Sequence, residues 1–153
     1  MAGLLGTKSV TQIGFIVKDI EASKKTFGTF LGMEPPDTMD TEDYSVTQTT
    51  VEGKPAPGAA CKLVFFDVTD HLQIELIQPN GVKSTWQDFL DEHGEGIHHI
   101  AFQIKNTEEK IAACEDFGMT CLQRGKYDGG NSEYTYLDAS GPLKCIVELL
   151  ENH

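Results

Sequence analysis

Apolar and polar positions along this chain fall into two matching passages. Thr11-Gln12-Ile13-Gly14-Phe15-Ile16-Val17-Lys18-Asp19 aligns without gaps on His98-His99-Ile100-Ala101-Phe102-Gln103-Ile104-Lys105-Asn106. The register continues through Glu21 against Glu108 and, after a slip of one residue, reaches Leu31-Gly32-Met33 against Phe117-Gly118-Met119. A second echo sets Leu72-Gln73-Ile74-Glu75-Leu76-Ile77 against Cys145-Ile146-Val147-Glu148-Leu149-Leu150. An internal repeat constrains the fold more than any single element does. In the first copy the pattern predicts a strand over 10–17, a helix over 21–31 with Phe27, Phe30 and Leu31 at helical spacing, and strands over 46–51, 61–68 and 72–78. In the second copy it predicts a strand over 97–104, a helix from a capping pair of Asn106 and Glu109 through Phe117, and strands over 119–123, 133–137 and 143–150. Proline and glycine place loops at 34–44, 52–59, 124–132 and 139–142. Residues 79–96 form a bridge in which Ser84-Thr85-Trp86-Gln87 reads as a capping box before a short helix carrying Trp86, Phe89 and Leu90. The expectation is an α+β fold of two βαβββ modules, about 8–78 and 97–151, within one domain spanning 1–153.

Polar residues on otherwise apolar strands carry the chemistry, because burying a carboxylate or imidazole is costly unless something pairs with it. Glu75 stands between Ile74 and Leu76, and Glu148 between Val147 and Leu149, at equivalent points of the repeat. Gln12 and His99 are the equivalent pair on the first strands. A lone glutamate on a strand usually faces solvent, but its recurrence in both copies argues against that reading. If a pseudo-twofold relates the modules, these four side chains converge on one point. Two carboxylates, an imidazole and an amide oxygen suit zinc, nickel, cobalt, manganese or iron. Strand alternation lets only one of His98 and His99 point into the cleft; alignment with Gln12 favours His99, with His98 as the alternative. His71, His93 and His153 fall at a turn, a helix end and the chain end.

Composition removes several function classes. Twelve basic residues against 24 acidic ones give a net charge of −12, which opposes nonspecific binding to nucleic acid or an anionic membrane. No segment approaches the roughly 20 apolar residues needed to cross a bilayer, and the first residues carry no signal-like apolar region, so a cytoplasmic protein is expected. Cys61, Cys114, Cys121 and Cys145 lack paired spacing and read as free thiols. Arg124 is the only arginine, so anion binding has few cations to draw on.

The segments TQIGFIVKD, LQIELIQP, GEGIHHIAF and IVELLE, in this order over nearly the whole chain, resemble the vicinal-oxygen-chelate (glyoxalase/bleomycin resistance/dioxygenase) superfamily. The resemblance implies a cup-shaped, eight-stranded mixed sheet around one divalent metal ion, with metal positions at Gln12, Glu75, His99 and Glu148 and a possible homodimer. GEGIHHIAF and the Gly129-Gly130-Asn131 loop are most similar to methylmalonyl-CoA epimerases, whereas the Gln/Glu/His/Glu set resembles glyoxalase I. The implied activity is proton abstraction α to a carbonyl, with Glu148 as base and an acyl-CoA as substrate. The alternatives are glyoxalase I-like lyase action on a glutathione hemithioacetal and a non-catalytic small-molecule binder of the same fold. Epimerization also needs an acid/base on the opposite face; the strand at 61–66 supplies none, and Asp67 is the nearest carboxylate.

Overall fold

The two matching passages fold alike. The computed structural model describes residues 1–153. Its elements in chain order are β1 (Gln12–Ile16), α1 (Ile20–Leu31), β2 (Met39–Asp40), α2 (Tyr44–Thr47), β3 (Thr50–Val51), β4 (Lys54–Pro55), β5 (Cys61–Asp67), β6 (Gln73–Pro79), α3 (Thr85–His93), β7 (Gly96–Gln103), α4 (Thr107–Asp116), β8 (Thr120–Tyr127), β9 (Ser132–Ala139) and β10 (Cys145–Asn152). All ten strands join one mixed sheet in the order β2-β5-β6-β1-β7-β10-β9-β8-β3-β4. The first strands of the two copies, β1 and β7, lie antiparallel at its middle, and each is flanked on its other side by the last strand of its own copy, β6 or β10, in parallel. The sheet is thus built about a pseudo-twofold between β1 and β7.

Ten strands rather than eight arise because the first copy departs from the second between α1 and β5. Residues 46–51 do not form the expected strand. Asp43 accepts a hydrogen bond from Ser45 N and starts the short helix α2, and Gln48, in the left-handed region at φ 46°, ends it. Only Thr50 and Val51 remain extended. They turn back through Glu52-Gly53 into β4 and pair with β8 of the other copy. The true counterpart of β8 is the two-residue β2, on the edge of β5. The 124–132 loop is also shorter than expected, since β8 runs on to Tyr127 against β9 and leaves only the Asp128–Gly130 turn.

The bridge helix begins at the Ser84 cap its sequence specifies, with Gln87 Oε1 accepting from Gly81 N instead of closing the box, and α1 begins at a cap of its own. Asp19 accepts from Ala22 N at the start of α1, and Ser84 Oγ accepts from Gln87 N at 3.0 Å at the start of α3. The Asn106/Glu109 cap of α4 is not formed. Asn106 sits at φ 62° with no capping hydrogen bond from its side chain. Glu151 of β10 takes its place, accepting from Asn106 N at 3.1 Å and from Thr107 N at 2.8 Å. The helices cover the sheet through apolar clusters: α1 with Val64, Phe66 and Leu76, α4 with Leu137, Val147 and Leu149, and Trp86 of α3 with Ile16, Ile77 and Tyr136. All four cysteines are free thiols. No helix is long and apolar enough to cross a membrane.

Candidate metal centre

Four adjacent central strands contribute one donor each: Glu75 from β6, Gln12 from β1, His99 from β7 and Glu148 from β10. Strand register arranges them in two rows. Glu75, Gly14 and His99 lie side by side in one, and Gln12, Ala101 and Glu148 in the other. Each row has a small residue at its centre, and Gly14 and Ala101 are themselves equivalent in the repeat. The reason for glycine is direct. A Cβ on Gly14 would collide with the His99 ring, which lies across that point of β1.

The four side chains meet in the interior. His99 is 0% exposed, Glu148 4%, Glu75 6% and Gln12 6%. His99 Nε2 lies 2.8 Å from Gln12 Oε1, 2.9 Å from Glu148 Oε2 and 3.4 Å from Glu75 Oε2. The same Gln12 position lies 2.8 Å from Glu75 Oε2 and 2.9 Å from Glu148 Oε2. A cation bound at about 2.0–2.2 Å by nitrogen and oxygen donors sets neighbouring donors about 3 Å apart, which is the spacing found. With the Gln12 oxygen turned inward, three oxygens meet at these distances, an arrangement that favours positive charge among them. The donor set fits a borderline divalent ion.

Electrostatics point the same way. Burial would push the His99 imidazole down, but Glu148 and Glu75 together push it up to about 10. Burial raises the Glu75 carboxyl, opposed by His99 and reinforced by Glu148. Burial, then the charge of His99, holds the His98 imidazole well below its ordinary value.

His98 is not in the cluster, yet it points inward beside His99. A β-bulge makes Gly14 and Phe15 of β1 oppose His99 and Ile97, so His98 is the extra residue and strand alternation breaks. Its Nδ1 lies 2.9 Å from His99 Nδ1, and its Nε2 lies 3.2 Å from Thr85 Oγ1. If His98 Nε2 donates to Thr85, its Nδ1 is an acceptor for His99 Nδ1–H, and His99 Nε2 is left to face the shared point. Fixing the tautomer of a ligand histidine in this way is how such ligands are oriented.

Beyond the cluster opens a cavity of about 580 Å³ whose walls include Leu63, Phe65, Trp86, Tyr134 and Tyr136. The two tyrosines are two apart on β9 and so share a face, a spacing that the sequence displays but that marks a site only once the cavity is known. Trp86 Nε1 donates to Tyr136 Oη at 3.1 Å, and burial raises both phenols. At the rim, Glu42 accepts from Gly129 N at 3.0 Å and ties the first copy to the β8–β9 turn. Asp67 lies outside this cavity and binds Gln73, so it does not supply the opposite-face acid.

A sequence profile of the Glyoxalase/Bleomycin resistance protein/Dioxygenase superfamily matches residues 11–136. An uncharacterized protein of Bacillus subtilis (strain 168), YqjC, is 29% identical over 89 residues, 58% of this chain and 64% of that protein. The chain thus spans about two thirds, 64%, of this curated relative. The methylmalonyl-CoA epimerase of Mycobacterium tuberculosis superposes with a TM-score of 0.65 at 18% identity, covering 100% of this chain and 92% of its own. A variant of the Streptomyces coelicolor methylmalonyl-CoA epimerase in complex with 2-nitronate-propionyl-CoA superposes with a TM-score of 0.66 at 20% identity, covering 95% and 94%. At these identities the structural likeness shows the fold.

Proposed function

Because the chain belongs to the glyoxalase/bleomycin resistance protein/dioxygenase superfamily, we propose that Gln12, Glu75, His99 and Glu148 hold one divalent cation and that the protein is an isomerase acting at the carbon α to a carbonyl. The form favoured is epimerization of a 2-substituted acyl thioester. The observation that carries this reading is the meeting of four donor atoms, one from each central strand, at the inner end of an apolar-walled cavity. The methylmalonyl-CoA epimerases among the structural relatives support the epimerase form.

When bound, the cation supplies Lewis acidity that lowers the cost of an enolate. The chain's own residues do the rest. Glu148 faces the shared point through Oε2 and has a second oxygen to take the α-proton. Phe65, Trp86 and the two tyrosines exclude water from the carbon being deprotonated. His98 and Thr85 keep His99 in the tautomer that presents Nε2.

A second reading, glyoxalase I-like isomerization of a hemithioacetal, draws on a specific observation. The reaction can run with one base, and Asp67, the carboxylate that ends β5, is engaged by Gln73 outside the cavity. One experiment tests both. Protein loaded in turn with zinc, nickel, cobalt and manganese is incubated in D₂O with (2R)- and (2S)-methylmalonyl thioesters, and separately with methylglyoxal and glutathione. Deuterium at C2 is expected. Thioester formation from the hemithioacetal without C2 exchange would move the assignment to the second reading, and neither signal with any metal would leave a binding protein.

A further inference from the structure

The row that holds Gln12 and Glu148 continues outward across the sheet. Gln73 of β6 is the register partner of Gln12, and Asp67 of β5 is the partner of Gln73. We propose that Asp67 and Gln73 form a positioning relay that decides which end of the Gln12 amide faces the cation. The inference rests on the metal-site reading above.

The logic is one of donors and acceptors. A carboxylate accepts and does not donate, so Asp67 Oδ1 can only take the Gln73 Nε2–H, 3.0 Å away. That places Gln73 Oε1 toward Gln12, where it accepts from Gln12 Nε2 at 2.8 Å. Gln12 must then turn its oxygen inward, to 2.8 Å from His99 Nε2. The relay runs from the ionised end to the centre, and each amide has one orientation consistent with its neighbour.

The opposite orientation has its own attraction, which is why a relay is needed. With the Gln12 amide turned over, its nitrogen would donate to Glu75 Oε2 at 2.8 Å and to Glu148 Oε2 at 2.9 Å. The cluster would then satisfy itself with hydrogen bonds and present an amide N–H₂, which is no ligand, to an incoming cation. That state forces Gln73 to turn as well and to set its oxygen against the Asp67 carboxylate. Asp67 thus penalises the self-satisfied site and keeps the oxygen-inward, cation-ready one. Neither residue touches the shared point, so both are positioning residues.

The test uses the full chain and a chromophoric chelator competing for zinc or cobalt. Asp67→Asn is expected to weaken affinity by roughly 10–100-fold, the usual effect of losing an outer partner of a metal ligand. A simple loss of negative charge would also weaken binding, so the variant is repeated on Gln12→Glu. There the inserted carboxylate presents oxygen in any orientation and accepts from Gln73 Nε2, leaving Gln73 Oε1 against Asp67. In that background Asp67→Asn should leave affinity unchanged or raise it. No weakening in the natural background, or equal weakening in both, overturns the relay. A second arm does not depend on metal. The Gln12 side-chain amide resonance of metal-free protein, identified by its loss in Gln12→Glu, should shift in Asp67→Asn, and an unmoved resonance also overturns it. If the natural chain takes up no metal, the functional reading falls, and the resonance alone decides the relay.

Discussion

The proposed reading gives Glu148 two roles at one carboxylate, and replacing one oxygen by an amide nitrogen separates them. In Glu148→Gln the amide oxygen can still coordinate while the base is gone, so metal should be partly retained and turnover should drop by roughly 10²–10⁴-fold. Metal content and single-turnover rates check this; full activity would reduce Glu148 to a ligand. Gly14 gives a prediction of another kind. In Gly14→Ala the new methyl occupies the space of the His99 ring, an overpacking that should cost about 1–3 kcal/mol of stability and displace Nε2. Denaturant melts and chelator competition should both register the change. A variant that melts normally and binds metal normally would show that the ring has somewhere else to go. At this scale the sequence was informative where it repeated itself: Glu75 with Glu148 and Gln12 with His99 stand out because each occurs twice in register. Asp67 and Gln73 were not legible as a pair, since a polar residue near a strand end reads as solvated until the neighbouring strand is known.

Elements were legible wherever local patterning decides them and misread wherever a distant partner does. Helix α3 starts at the cap its sequence announces. Helix α4 has its cap 44 residues away, in Glu151, and no window around Asn106 contains that information. Glu151→Ala should therefore cost about 1 kcal/mol, as loss of a helix cap does, and speed amide exchange at Thr107 while α1 is unaffected. Hydrogen bonds from Thr107 hold the Glu151 carboxyl below its ordinary value of 4.5. The stabilisation is accordingly present above that ordinary value and disappears as pH falls through the depressed one, so the variant and the natural protein should converge in stability in acid. Equal pH profiles with a constant gap would show that the cap acts by packing alone. The bulge at His98 escaped the sequence for a related reason. Strand alternation is a property of one strand, whereas a bulge belongs to the register between two.

Across the whole molecule charge and shape oppose each other. The aromatic walls of the cavity suit an apolar group, but the surroundings suit few anions. Arg124 is occupied by Glu108 at 2.6 Å and Glu133 at 3.7 Å and does not reach the cavity. Asp40, Glu42 and Asp128 line the cavity with Lys126 as its one cation, under a net charge of −12. A pantetheine thioester, which lacks the nucleotide phosphates, should therefore show a lower KM than the corresponding coenzyme A thioester at low salt. The gap should close as salt rises and the Debye length falls to about 8 Å near 0.15 M. A coenzyme A thioester preferred at low salt would reveal a phosphate site that these residues do not provide. The fold as a whole was the most legible level, because two βαβββ copies read from the sequence have few ways to pair. The crossing of β3 and β4 onto β8 was not, since it depends on an edge that exists only after the copies have come together.

The two rows of donors are related by the pseudo-twofold, but their occupants are not identical. A perfectly symmetric centre would offer any guest two equally good orientations. Gln12 standing opposite His99 breaks that degeneracy, and the twofold-related separations His99–Glu75 and Gln12–Glu148, 3.4 against 2.9 Å, express it in geometry. The difference between two positions equivalent in the repeat thus supplies sidedness, so that left and right become chemically distinct within a sheet built from repeated parts.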